Sequence, residues 1–166
     1  IVRWAALDSG AQTTGATLSI RAGSGSGPRE ATHAFRLLMN VDVVIRADVT
    51  PYRNRLDSND ELETRWRILD DARGDPSRTG VSTSDAVAAR GYATFVPAAQ
   101  FLPAGLRVTH APTDGAVNLS VTAEANPPAS GQGIYDAHVM LTALPQTWRA
   151  TRGPRRYRSA APREWR

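Results

Sequence analysis

The chain contains no cysteine, which excludes disulfides, thiolate metal sites and cysteine nucleophiles. It contains no lysine either. All 20 basic residues are arginine, so the lysine of a phosphate-binding loop is missing as well. No apolar run approaches the roughly 18–20 residues needed to span a bilayer, so no membrane span is expected. Histidine is sparse, with only His33, His110 and His138 available for imidazole chemistry.

What is present is a chain of 166 residues, the size of one ordinary domain, with a composition apolar enough to build a core. The charge is unevenly placed. From Trp148 onwards seven arginines stand against a single acid, Glu164, so the last 19 residues carry +6. The other 13 arginines face 15 acids, which leaves residues 1–147 at −2. We therefore read 1–147 as a β-rich globular domain and 148–166 as a basic C-terminal arm.

Hydrophobic alternation marks most of the body as strand. Leu18, Ile20 and Ala22 alternate with Thr17, Ser19 and Arg21, and Val117, Leu119, Val121 and Ala123 alternate with Asn118, Ser120, Thr122 and Glu124. The longest candidate covers 33–50, where Val41, Val43, Ile45, Ala47 and Val49 form one face and Pro51 ends the run. Residues 106–110 and 116–125 are expected to make a hairpin with Asp114-Gly115 in its turn. The last strand, 134–144, is apolar on both faces, which suggests a central place in a sheet or burial from both sides.

One segment carries helix signals. Ser58 and Glu61 are spaced as a capping box, and Leu62, Trp66 and Leu69 fall at i, i+4 and i+7. Acids fill the first turn, Arg73 lies in the last, and Gly74 and Pro76 follow as terminators. These features predict a capped helix over 58–73, and a second short one is expected at 84–90.

Short strands with Gly and Pro turns, and no βαβ alternation, argue for a mainly β fold, a β-sandwich or jelly-roll-like architecture. The element order resembles that of single jelly-roll virion proteins. The resemblance rests on order alone.

Catalytic signals are thin. His110 and His138 lie in strands of one expected meander, with Glu124 and Asp136 near in sequence, but no two histidines share a ligand-like spacing. Gly25 stands where a nucleophile elbow needs serine, so 23–28 reads as a flexible connection. The carboxylates between Asp57 and Asp75 fit helix-end electrostatics. Asn118-Leu119-Ser120 matches a glycosylation acceptor inside a strand. Arg73-Gly74-Asp75 spells an integrin-type tripeptide, although each letter also suits a helix end. No enzyme, cofactor or metal is expected from these patterns.

The arm carries the strongest signal. Trp148, Tyr157 and Trp165 are interspersed among Arg149, Arg152, Arg155, Arg156, Arg158, Arg163 and Arg166. Guanidinium groups fork onto carboxylate or phosphate, and aromatic rings fill pockets or stack on bases. Gly153, Pro154 and Pro162 oppose a long helix, so the arm is expected to be extended. The leading expectation is a non-enzymatic structural protein whose arm docks on neighbouring subunits in a homo- or hetero-oligomer, most concretely a virion component of a capsid or phage tail. Nucleic acid is an alternative partner. It would call for a basic face that includes Arg3, Arg21 or Arg107. A carbohydrate-binding sandwich is a third reading and needs Trp4, Tyr92 or Tyr135 exposed together.

Overall fold

The computed structural model describes residues 3–8, 10–23, 27–70, 81–82, 94–101, 105–110, 116–129 and 132–146. Its strands are β1 (Ala5–Leu7), β2 (Thr13–Arg21), β3 (Arg29–Met39), β4 (Val43–Val49), β5 (Arg53–Asn54), β6 (Asp57–Glu61), β7 (Arg65–Asp70), β8 (Val81–Ser82), β9 (Val96–Pro97), β10 (Leu106–His110), β11 (Ala116–Ala125) and β12 (Ile134–Pro145). They build two antiparallel sheets. The first has the order β1-β3-β11-β7-β9, and the second runs β6-β5-β12-β4-β10-β8 with β2 on the other side of β12.

The alternation read from the sequence decides which side of each strand is buried. Leu18 and Ile20 of β2, Val43 and Ile45 of β4, and Tyr135, Ala137, Val139 and Leu141 of β12 face inward from the second sheet. Phe35 and Leu37 of β3, Trp66 and Ile68 of β7, and Leu119 and Val121 of β11 meet them from the first, in one contiguous core. The fold is a β-sandwich. Each fully buried side chain of this size contributes about 1.5–3 kcal/mol by leaving water.

The expected long strand over 33–50 is two strands, β3 and β4, in different sheets, separated by a turn at 40–42. β12 is central, as its apolar content suggested. It pairs with β2 over Ile134 to Thr142 on one side and with β4 and β5 on the other. Its outer face is open, with His138 and Met140 exposed, so burial from both sides does not apply.

Two further expectations are corrected. The described part of 58–73 is not a helix: it is β6 followed by β7. Thr64, Trp66 and Ile68 are buried while Glu63 and Arg65 are exposed, a period of two. Leu69, which the helical pattern placed beside Trp66, lies on the opposite face. The capping-box residues are used differently, since the Glu61 carboxylate accepts a hydrogen bond from Arg53 Nε at 3.0 Å. β11 offers this segment a six-residue ladder, from Leu119 opposite Asp70 to Glu124 opposite Arg65, which outweighs local capping. Among the described residues the helical content is a single 3-10 turn, Ala98–Gln100. The second expected helix, at 84–90, lies outside them.

The second correction concerns β10 and β11. They do not form a hairpin: β10 pairs with β4 and β8 in the second sheet, whereas β11 pairs with β3 and β7 in the first. The chain crosses from one sheet to the other between them. Asp114-Gly115 lies outside the described residues.

The excursion of β5 and β6 is pinned at its base. Tyr52 N–H donates to Thr64 Oγ1 at 2.9 Å, Leu62 N–H donates to Tyr52 C=O at 2.9 Å, and the buried Tyr52 hydroxyl donates to Ala123 C=O at 2.9 Å. Burial holds the Tyr52 phenol far above its ordinary pKa, so it stays a donor. No helix among the described residues is long and apolar enough to cross a membrane.

Candidate functional site

The outer face of the second sheet displays the most ordered set of polar groups. Register places Thr13 opposite Thr142, Gly15 opposite Met140, Thr17 opposite His138 and Ser19 opposite Asp136. The two threonine hydroxyls of the first pair are 3.1 Å apart, Thr17 Oγ1 lies 3.0 Å from His138 Nδ1, and Ser19 Oγ donates to Asp136 Oδ1 at 2.6 Å. Such cross-strand pairs are the sheet's equivalent of helix i,i+4 contacts.

At the upper end of this ladder, Arg55 from the loop between β5 and β6 clamps Asp136 with two bonds of 2.9 Å. The guanidinium contact, supported by Ser19, holds the Asp136 carboxyl below the ordinary carboxylate range against a modest burial cost. Beside it the Tyr135 hydroxyl donates to Asp60 Oδ2 at 2.7 Å, which Asn54 Nδ2 also reaches at 3.2 Å. The bond to Asp60 is the main reason that the Tyr135 phenol titrates above its usual range. This network locks the hairpin of β5 and β6 against β12 and leaves Leu56 at its tip 93% exposed.

In the middle of the face lies an open groove of about 650 Å³, bordered by Gly15, Thr17, Asp48, Thr50, His138 and Met140. A Cβ on residue 15 would sit 3.3 Å from Val139 C=O, a tight approach at the groove's border. Its chemistry is limited. His138 bonds to Thr17, while Asp136 is engaged by Arg55 and Ser19, so no hydroxyl–imidazole–carboxylate relay is assembled.

The other sequence candidates do not converge. His33 sits in the first sheet with its ring edge-on to Phe35, centroids 4.6 Å apart. His110 and His138 belong to strands on either side of β4. Val108 and Pro145 both stand level with Val43, so His110 lies two residues beyond that level and His138 seven residues the other way, about 30 Å apart along the strands. No group of three metal-ligating side chains occurs among the described residues. Of the acids once assigned to a helix, Asp60 and Glu61 serve the hairpin, and Asp57 Oδ1 accepts from Asn59 N–H at 3.0 Å. Asn118-Leu119-Ser120 is mid-strand in β11, which has neighbours on both sides. Arg73-Gly74-Asp75 lies outside the described residues.

All the arm residues from Trp148 to Arg166 also lie outside the described residues. β12 is followed up to Gln146, whose N–H donates to Asp42 C=O at 2.9 Å. That end of the sandwich also carries the half-exposed Trp4, tied to Asn40 through Trp4 N–H to Asn40 Oδ1 at 2.8 Å.

The Arg55, Asp60, Tyr135 and Asp136 network was not read from the sequence. Its members are up to 81 residues apart, and nothing local announces a cross-strand register. Comparison with protein-family models, with curated proteins and with solved structures finds no match to this chain.

Proposed function

We propose that this chain is a non-enzymatic structural subunit. Its sandwich serves as a rigid body, and its arginine- and tryptophan-rich C-terminal arm docks on neighbouring protein subunits. The observation that carries this reading is the strand connectivity. Numbering β2, β3, β4, β7, β9, β10, β11 and β12 as eight successive strands, one sheet has the order 1-8-3-6 and the other 2-7-4-5. That is the winding of a jelly roll, an architecture shared by viral capsid and lectin domains and by cupins. A fold is not a function, so the arm must decide among these uses. A +6 arm crossing the −2 body of a neighbour gives orientation and affinity together, and a virion component of a capsid or phage tail is the most concrete form of this reading.

Nucleic acid is the second reading, favoured by the same arginines. The body lends it little support. Arg3 and Arg21 stand at opposite ends of the sandwich, so these two arginines do not share one basic face of the body. The carbohydrate reading is weaker still. Tyr135 is buried and Trp4 lies at the other end of the sandwich, and Tyr92 is outside the described residues.

The test is a salt titration of assembly for the full chain, with Trp165→Ala beside the double variant Arg155→Ala/Arg156→Ala. Docking on protein predicts that Trp165→Ala weakens assembly and that salt has a modest effect, because ring burial is not screened. Binding to phosphates through about six charges predicts a loss of about 10³ between 50 and 200 mM salt. Unchanged assembly in both variants overturns the proposal.

A further inference from the structure

Among the described residues, most sheet edges are short, covered or charged. β9 is two residues long and contains Pro97, which has no N–H to offer. β8 is also two residues long, and β6 carries Asp57, Asp60 and Glu61. The edge of β3 is covered by β1 over Leu37 to Met39. Asp8 extends that cover, since Arg36 N–H donates to Asp8 Oδ1 at 2.9 Å and Asp8 N–H donates to Arg36 C=O at 2.8 Å. What remains of the β3 edge begins with the charged pair Arg29 and Glu30. These are the ordinary defences against edge-to-edge pairing.

β2 has none of them. Its nine residues, Thr13–Arg21, pair with β12 in unbroken register from Arg21 opposite Ile134 to Thr13 opposite Thr142, and with no other strand among the described residues. There is no proline and no bulge, and the only charge is Arg21 at the end.

The bonds that flank the ladder fix which groups face outward. Ala143 N–H donates to Gln12 C=O at 2.9 Å, and Ala22 N–H donates to Gly133 C=O at 3.0 Å. Hydrogen-bonded pairs alternate along an antiparallel ladder, so even-numbered residues of β2 bond to β12. Thr13, Gly15, Thr17, Ser19 and Arg21 therefore aim their N–H and C=O groups out of the free edge.

We propose that β2 is the seam at which two copies of this chain join their larger sheets, antiparallel about a two-fold axis at Thr17. In that register Thr13 faces Arg21, Gly15 faces Ser19 and Thr17 faces its own copy. All five outward residues of each strand find partners, giving about ten hydrogen bonds. No like charges oppose, and threonine meets threonine, a favourable cross-strand pair. On the inner side Thr14 meets Ile20 and Ala16 meets Leu18, which continues the apolar layer. A second β2 suits this edge better than the arm, because the arm is broken by Pro154 and Pro162. The surface is self-complementary, as a two-fold interface requires. β2 and the arm are different segments of the chain, so each contact is tested by its own variants.

The full chain tests the seam by mass photometry and sedimentation with Thr17→Lys and Thr17→Asp. Each variant alone sets two like-charged side chains opposite each other at the axis, on Cα atoms about 5.5 Å apart, and is expected to lose the dimer, whereas an equal mixture is expected to restore it as a heterodimer. Because the chain has no cysteine, Thr17→Cys adds a single thiol, which a mild oxidant is expected to link into a disulfide dimer across that separation. Arg21→Cys should not link to itself but should link to Thr13→Cys. A wild type that is monomeric at every concentration overturns the seam, as does wild-type assembly by both charged variants. So does the absence of a Thr17→Cys dimer, and if assembly is then lost only in the arm variants, the contact belongs to the arm.

Discussion

Ile68 and Leu69 are adjacent in the chain and chemically alike, yet β7 sends them in opposite directions. Ile68 is fully buried in the core, whereas Leu69 lies on the outer face of the first sheet, in the row of Ser120 of β11. Cutting Ile68 to alanine removes buried methyl and methylene groups and leaves a cavity, at about 2–5 kcal/mol. Leu69→Ala removes partly solvated surface from the outer face and should cost less than about 1 kcal/mol. For a chain of this size the first change lowers the melting temperature by about 6–12 °C if it costs about 3 kcal/mol. Urea unfolding followed by tryptophan fluorescence measures both, provided that the slope of stability with urea stays constant so that the midpoints compare directly. A helix over 58–73 makes the opposite forecast, because there Leu69 stacks beside Trp66 on the apolar stripe. Equal losses, or a larger loss for Leu69→Ala, would refute the strand assignment and with it the packing of the first sheet.

Two further outcomes follow from the same geometry. Gly105 has φ +90°, and a Cβ there would come within 2.3 Å of Val44 Cγ1, so Gly105→Ala combines a left-handed backbone penalty with overpacking. It should cost about 2–4 kcal/mol, and a change under about 0.5 kcal/mol by the same urea assay contradicts the tight start of β10. Asp136 titrates below its unfolded value because Arg55 and Ser19 stabilise its charge, so its contribution is complete above the ordinary carboxylate pKa of about 3.9 and is lost as pH falls through the lower folded value. Urea midpoints of the wild type and Asp136→Asn should therefore differ most near pH 6 and converge towards pH 2. A gap that persists undiminished in acid contradicts the ion pair.

The face of most strands was legible in the sequence, because a period-two pattern needs only neighbouring residues. Leu18 and Ile20 against Thr17 and Ser19, or Leu119 and Val121 against Ser120 and Thr122, point the way the alternation says. The segment at 58–70 misled because its capping box and its i, i+4, i+7 spacing are equally local. The partner that overrides them, β11, begins 46 residues beyond the end of β7. The supposed hairpin of β10 and β11 failed for the same reason: an Asp-Gly turn favours a reversal but does not choose the sheet to which each arm returns.

For the candidate sites the division is similar. The excess of arginine over acid in 148–166, with Trp148 and Trp165 among the arginines, is a property of the sequence alone. The clamp of Arg55 on Asp136, the Tyr135–Asp60 bond and the unguarded edge of β2 could not be found that way, since each depends on which strands lie side by side and in what register. Side-chain alternation is dictated residue by residue, whereas strand order is selected by burying two whole sheets against each other. This chain therefore carried its strands and its charge in its letters, but left its winding, its edges and its polar network to tertiary packing.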